Sequence, residues 1–357
     1  MQEALILSRH ALGNVSPSPA VGAVLVKDGV IVGRGCTQQP GQDHAEIVAL
    51  REAGPSANGA SLYVTLEPCC HYGKTPPCTE ALIKAGISEA HVAVIDPNPI
   101  INGKGLAILQ QAGIKTFLGE GKEEATEVIE AYTKYICTGV PFITAKFAMS
   151  LDGKIATSSG DSRWISSEAS RKHSHSLRKQ HDAIMVGINT VLKDDPQLTV
   201  RDSVETLHKQ PIRVIVDSYG RTPLDAKLLF EPGKTIVVVG EDVSIQRKAQ
   251  LVEKGAEVLE LPVINGYIVL ERLITELGKK SVTSILVEGG GSVLGSLFDL
   301  QMVDKVVAFI APLIIGGENS QTPVGGQGVD RVAESYKLAD IKYNFFENDI
   351  MVTGYLK

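Results

Sequence analysis

His44-Ala45-Glu46 and, further along, Leu66-Glu67-Pro68-Cys69-Cys70-His71-Tyr72-Gly73-Lys74-Thr75-Pro76-Pro77-Cys78 constrain this chain more than any other part of it. A His, two separated cysteines and a carboxylate just beyond the His are what a hydrolytic zinc requires. It needs three protein ligands, a fourth position left to water, and a base beside that water. Any fold that uses them must bring distant segments to one point. Residues 44–53 are apolar at Ala45, Val48 and Ala49, which predicts a helix starting at the His. Cys69 follows a predicted strand over 61–66 and a proline, and Cys78 opens a predicted helix over 78–85. The positive end of that helix is expected to lower the Cys78 thiol pKa. Cys70 adjoins Cys69 and points elsewhere. His71 as a fourth ligand would close the site and make it structural, so His71 and Lys74 are assigned to substrate binding from the loop. The competing reading, with the cysteines in a core and His44 a satisfied surface histidine, suits a lone Cys and not this constellation.

The chain has 357 residues, more than one hydrophobic core usually supports, so two domains are expected. Its 43% apolar and 21% charged content is that of an ordinary globular protein. A net charge of −6, with no run of Lys or Arg, argues against nucleic acid as the main partner and for a small ligand. No apolar run reaches the roughly 18 residues of a membrane span, and Met1-Gln2-Glu3 lacks a signal-peptide start. The cytoplasm is the expected location, where the five cysteines stay reduced and a group of three reads as metal-binding.

In chain order the first half predicts a helix over 3–12, a hairpin over 20–34 turning at Asp28-Gly29, the elements above, a strand over 91–95, and helices over 105–111 and 123–138. Alternation of this kind gives an α/β/α layered domain with a mixed sheet. Gly139-Val140-Pro141 marks the boundary, dividing the chain into 1–140 and 141–357. Beyond it come a strand from Phe142, helices over 168–179, 245–254, 267–278 and 292–300, and strands over 183–187, 212–217, 235–239, 284–288, 305–310 and 350–354. This second α/β domain carries glycine-rich turns at strand ends, as dinucleotide-binding sheets do.

Three stretches of the second half stand out. Lys146 to Ser166 places polar residues after a strand together with Trp164, which reads as core, interface or ligand platform. Val186 to Arg201 begins at a strand-end glycine and ends at an Arg whose fork suits phosphate, or simply solvent. Ile285-Leu286-Val287-Glu288-Gly289-Gly290-Gly291-Ser292 is strand, glycine turn and helix, built to cradle phosphate or to pack closely.

The His-x-Glu and Pro-Cys pattern resembles that of the zinc deaminases, whose ordinary form is Cys-x-x-Cys. Here eight residues separate Cys69 from Cys78, a spacing similar to the deaminase half of the bifunctional deaminase/reductase family of riboflavin biosynthesis. The likeness extends to Tyr63-Val64-Thr65-Leu66-Glu67 and Asp96-Pro97-Asn98-Pro99, and in the second half to Lys146 to Ser166, Asp182 to Arg201, Pro211 to Ser218, Val287 to Ser292 and Ala311 to Gly317, so it covers nearly the whole chain. It implies a cytidine-deaminase-like domain with zinc on His44, Cys69 and Cys78 and Glu46 as proton shuttle. It also implies a dihydrofolate-reductase-like domain using NADPH. Cofactor contacts are implied at Ala148, Trp164, Thr190, Asp194, Ser218 and the Gly290-Gly291-Ser292 turn. Substrate contacts are implied at Ser162, Arg178, Leu198, Arg201 and Glu288, with Lys146 and Ser166 as positioning polar groups. The implied substrate is 2,5-diamino-6-ribosylamino-4(3H)-pyrimidinone 5′-phosphate, deaminated and then reduced in its ribosyl chain. A homo-oligomer without nucleic acid or membrane partners is expected. Two departures are visible: Ser18 stands where that family reads Asn, and Cys70 where it commonly reads Ser. Two other readings remain, a nucleic-acid base deaminase and a protein in which zinc only staples the fold.

Overall fold

The computed structural model describes residues 1–73, 75–201 and 209–356. Its chain forms two compact units, Met1–Val140 and Pro141–Lys357.

The first unit opens with α1 (Gln2–Ala11), which buries Ala4, Leu5, Ser8 and Ala11. The hairpin of β1 (Gly22–Lys27) and β2 (Val30–Cys36) turns through Asp28 at φ 51° and Gly29 at φ 76°. Both angles are left-handed, and the resulting two-residue turn matches the twist of the strands it joins. Then follow α2 (Ala45–Ala53), β3 (Ser61–Val64), α3 (Cys78–Ala85), β4 (Glu89–Val92), α4 (Lys104–Gln111), β5 (Lys115–Leu118), α5 (Lys122–Val128) and α6 (Glu130–Thr138). The sheet order is β2-β1-β3-β4-β5, antiparallel among its first three strands and parallel among its last three. Leu25, Leu62, Val64, Leu82 and Leu109 fill the core.

Two features differ from expectation. The helix expected over 123–138 breaks at Ile129, and the break lets Val128, Ile129 and Tyr132 all reach the core. The edge strand β5 is mostly exposed, so its residues lack an apolar alternation and only its pairing with β4 defines it.

The second unit contains β6 (Phe142–Ser150), α7 (Glu168–Gln180), β7 (Ala183–Gly187), α8 (Ile188–Asp194), β8 (Ile212–Val216), β9 (Thr235–Gly240), α9 (Ile245–Glu253), β10 (Ala256–Leu261), β11 (Val263–Ile264), β12 (Tyr267–Ile268), α10 (Leu270–Lys279), β13 (Ser284–Val287), α11 (Gly291–Asp299), β14 (Lys305–Ala311), β15 (Leu338–Phe346) and β16 (Asp349–Leu356). Nine strands make one sheet, β10-β9-β8-β7-β13-β6-β14-β16-β15. The first seven run parallel; β16 and β15 close the edge antiparallel. Strands β7, β9 and β13 are buried throughout, as strands covered by helices on both faces must be. The helix expected from 267 begins at Leu270, because Tyr267 and Ile268 pair with β11 around Asn265-Gly266. Strands β10 and β15 and helix α8 go beyond the sequence reading. Among the described residues no helix is long and apolar enough to cross a membrane.

Candidate functional site

Glycine sets the position of the first site. A Cβ at Gly35 would come within 2.1 Å of the Ala45 carbonyl oxygen, and one at Gly33 within 2.2 Å of the Ala49 oxygen, so α2 lies flush on β2 only because both are Gly. That helix starts immediately after His44 and carries Glu46 in its first turn. From the other side, Glu67 anchors the segment leading to Cys69. Its buried carboxylate accepts from the N–H groups of Asp96 (3.1 Å), Gly103 (2.9 Å), Gly105 (2.8 Å) and Leu106 (3.2 Å), capping α4. Sequence reasoning gave Glu67 no role; its place directly before Pro68-Cys69 was the available signal.

These supports bring His44, Cys69 and Cys78 together. His44 Nδ1 lies 3.5 Å from Cys69 Sγ and 3.3 Å from Cys78 Sγ, and all three ligand atoms fall within 4.8 Å of one another. A tetrahedral zinc, with Zn–S of about 2.3 Å and Zn–N of about 2.0 Å, holds a sulfur and a nitrogen ligand about 3.5 Å apart, so the three atoms fit that ion. Thr75 Oγ1 sits 3.4 Å from His44 Nε2, the ring nitrogen turned away from the sulfurs. Neither Cys70 nor His71 belongs to the ligand group. Three ligands leave a tetrahedral ion one open position.

The electrostatics correct one expectation. The N–H of Cys78 at the start of α3 points at the other sulfur, donating to Cys69 Sγ at 3.3 Å. Hydrogen bonding from Cys78, opposed by burial and assisted by His44, holds the Cys69 thiol down at about 4. The same contact and burial push Cys78 up, so Cys69 rather than Cys78 receives the benefit of the helix end. A divalent cation favours the thiolate form of both. Burial, then the neighbouring Cys69 sulfur, pushes the Glu46 carboxyl up to about 7. A carboxyl in that range near neutral pH can take and return a proton. Ser18, Thr37, Gln38, Gln39, Gln42, His71 and Thr75 border the hollow in front of His44 and Cys69. The three glutamines were not anticipated. Among the described residues His71 Nδ1, buried there, has no hydrogen-bond partner, and Lys74 lies outside them.

The second site is a cleft of about 500 Å³ at the carboxyl ends of the parallel strands. Of the expected residues it gathers Lys146, Ala148, Ser162, Thr190, Asp194, Glu288, Gly290, Gly291 and Ser292. Ser218 borders the adjoining hollow. Arg178 stands behind the cleft, donating to the Glu288 carboxylate at 2.9 and 2.6 Å and to the Thr199 carbonyl at 3.1 Å. Leu198 has its side chain in the core, at φ 53°. Arg201 is exposed, its N–H donating to His175 Nδ1 at 3.4 Å. Trp164 is 67% exposed, with the Arg171 guanidinium 4.5 Å over its ring, which removes the core reading. The Ser166 carbonyl accepts from Arg171. Asn189, Lys193 and the Gln321–Gly325 segment also line the cleft. The Thr-Pro-Val-Gly-Gly run at 322–326 was the signal for that last segment.

Residues 1–94 match the cytidine and deoxycytidylate deaminase zinc-binding region, and residues 141–352 match the RibD C-terminal domain. The riboflavin biosynthesis protein RibD of Aquifex aeolicus is 44% identical over 353 residues, covering 99% of this chain and 96% of that protein. Its counterpart in Escherichia coli is 40% identical, covering 96% and 95%. The solved structure of Acinetobacter baumannii RibD superposes with a TM-score of 0.86 at 36% identity, covering 100% of this chain and 97% of that one. The chain belongs to the RibD family. It is a bifunctional deaminase/reductase of riboflavin biosynthesis, with a cytidine-deaminase-like first domain and a dihydrofolate-reductase-like second, and its cofactors are Zn2+ and NADPH.

The glycine turn fits the RibD reductase's dinucleotide. Gly289 and Gly290 adopt φ of 115° and 81°, and a Cβ at Gly290 would come within 3.2 Å of the Gly187 N. The bare turn leaves room for a phosphate at the start of α11.

Proposed function

We propose that residues 1–140 deaminate 2,5-diamino-6-ribosylamino-4(3H)-pyrimidinone 5′-phosphate and that residues 141–357 reduce its ribosyl chain to ribityl, giving 5-amino-6-ribitylamino-uracil 5′-phosphate. The solved Thermotoga maritima relative, 33% identical over the whole chain, carries the name diaminohydroxyphosphoribosylaminopyrimidine deaminase/5-amino-6-(5-phosphoribosylamino)uracil reductase. The observation that carries the reading is the convergence of His44, Cys69 and Cys78 with Glu46 buried beside them. Zinc supplies Lewis acidity toward water. Glu46 would move one proton of the attacking water to the leaving amine as the water oxygen bonds the ring carbon; the amine departs as ammonia, and the second proton ends on the neighbouring ring nitrogen as the carbonyl forms. His71 and Ser18, which border the hollow in front, hold the pyrimidine; Lys74, expected to meet its phosphate, lies outside the described residues.

NADPH supplies the hydride in the second site. Lys146 and Ser162 orient the ribosyl group, Glu288 fixes Arg178 and lends its charge to Lys146, and Arg201 meets the substrate phosphate. Ala148, Thr190, Asp194, Ser218 and the Gly290-Gly291-Ser292 turn hold the cofactor, and Trp164 covers it from the rim with Ser166 beside it. Arg178 and Leu198 act by shaping the wall behind the substrate. The partner is a small phosphorylated pyrimidine in the cytoplasm; the net charge of −6 favours neither nucleic acid nor an anionic membrane. Tyr343 and Phe345 alternate on one exposed face of the edge strand β15, which supports a homo-oligomer.

Glu46→Gln tests the assignment. Ammonia release should fall by on the order of 10²- to 10⁴-fold, while oxidation of NADPH with pre-deaminated substrate continues. Loss of both activities together would contradict two independent sites.

A further inference from the structure

Beside the reaction cleft lies a second hollow of about 340 Å³, and Asn189, Gly290 and Ser292 border both. A dinucleotide whose pyrophosphate meets the glycine turn has one end in the cleft with Lys146 and Glu288. Its other end must then enter this hollow. Tyr219 and Tyr267, 62% and 64% exposed, stand at its sides and offer faces for a purine.

The loop that follows β8 is tied down with unusual completeness. Buried Asp217 accepts from the N–H and the hydroxyl of Thr222, both at 2.7 Å, and the Gly220 N–H donates to the Asp217 carbonyl at 3.1 Å. Arg247 donates to the carbonyl oxygens of Gly220, at 2.7 Å, and of Thr222. Across the hollow, the Asn265-Gly266 turn presses on the Tyr219 hydroxyl so closely that a Cβ at Gly266 would stand 2.8 Å from it. From this fixed loop Arg221 also faces the hollow. Its guanidinium donates to Asn189 Oδ1 at 3.4 Å, a long bond, and among the described residues no carboxylate pairs with it. A guanidinium carried by a fixed loop at the far end of a dinucleotide site, with no acidic partner among the described residues, suits a phosphate. NADPH differs from NADH by one phosphate, on the adenosine ribose.

We propose that Arg221 selects NADPH over NADH by taking the 2′-phosphate, with Tyr219 and Tyr267 flanking the adenine. The proposal rests on the neighbouring cleft being the nicotinamide end of the site. Titration calorimetry on the full chain with adenosine 2′,5′-bisphosphate and with adenosine 5′-monophosphate tests it. The wild type should prefer the bisphosphate, and Arg221→Ala should reduce the ratio of the two affinities by roughly 10- to 100-fold, with Arg221→Lys in between. The ratio of KM for NADH to KM for NADPH should fall in parallel. An unchanged ratio in Arg221→Ala overturns the assignment of Arg221, whereas failure of the wild type to bind NADPH overturns the reading of the cleft and this inference with it.

Discussion

At the scale of single residues, the Arg178–Glu288 pair links stability to the reduction site. Both side chains are nearly enclosed, at 14% and 6% exposure, and Glu288 also lines the cleft. Burial alone pushes the Glu288 carboxyl up, but Arg178 and then Lys146 outweigh it and hold the group below its ordinary 4.5. A carboxylate depressed in the folded state adds stability above its unfolded pKa and loses it as pH falls through the folded value. Glu288→Gln leaves Arg178 buried without its counter-charge, which costs about 3–5 kcal/mol at neutral pH. The gap from wild type should shrink as the pH drops below about 4. Denaturant unfolding followed through Trp164, the single tryptophan, reads both effects; a gap that stays constant with pH contradicts the charge pairing. Glu67 is likewise a buried carboxylate fixed by distant partners, accepting from four N–H groups just ahead of Cys69. Neither role was legible from the chain alone, because a carboxylate's partners lie far off in sequence.

At the scale of elements, the metal site depends on a helix resting on glycine. Gly35→Ala forces a methyl toward the Ala45 oxygen, now 2.1 Å from where it would sit, and so lifts α2 and with it His44 and Glu46. Overpacking of this kind costs about 1–3 kcal/mol. Gly35→Ala should therefore lower both the melting temperature and the zinc content per chain, while a full zinc complement would show that the helix can yield without moving the ligand. The elements that were legible share a local signature. Asp28-Gly29 dictates its turn, and Cys78–Ala85 is an amphipathic helix that starts after two prolines and ends at Gly86 in the left-handed conformation. The elements that were missed lack one. Strands β5 and β15 are exposed edges, β10 is half-buried, and Tyr267-Ile268 follows helical periodicity yet is captured by the short ribbon with β11. The ligands themselves were readable because zinc demands particular residue types. The walls around them, Gln38, Gln39 and Gln42, carry no such demand and appear only when the chain is folded, as does Gln321 in the reductase cleft.

At the scale of the whole molecule, two machines share one chain, each with its own sheet and its own cofactor chemistry. The nine-stranded sheet ends in β15, where Tyr343 and Phe345 are 64% and 73% exposed on a strand that, among the described residues, pairs only with β16. Such an edge invites cover by another surface, and the proposed homo-oligomer would supply it with a second copy. Phe345→Glu should shift the assembly toward a monomer in sedimentation at micromolar concentration; an unchanged sedimentation profile would place the interface elsewhere. The account as a whole stands on the metal. X-ray absorption at the zinc edge of the purified protein measures it directly. One zinc per chain should be found with two sulfur ligands at about 2.3 Å, one imidazole nitrogen and one non-protein oxygen, losing one sulfur in Cys69→Ser and the imidazole in His44→Ala. A fourth protein ligand, or a first shell that those substitutions leave untouched, would contradict it.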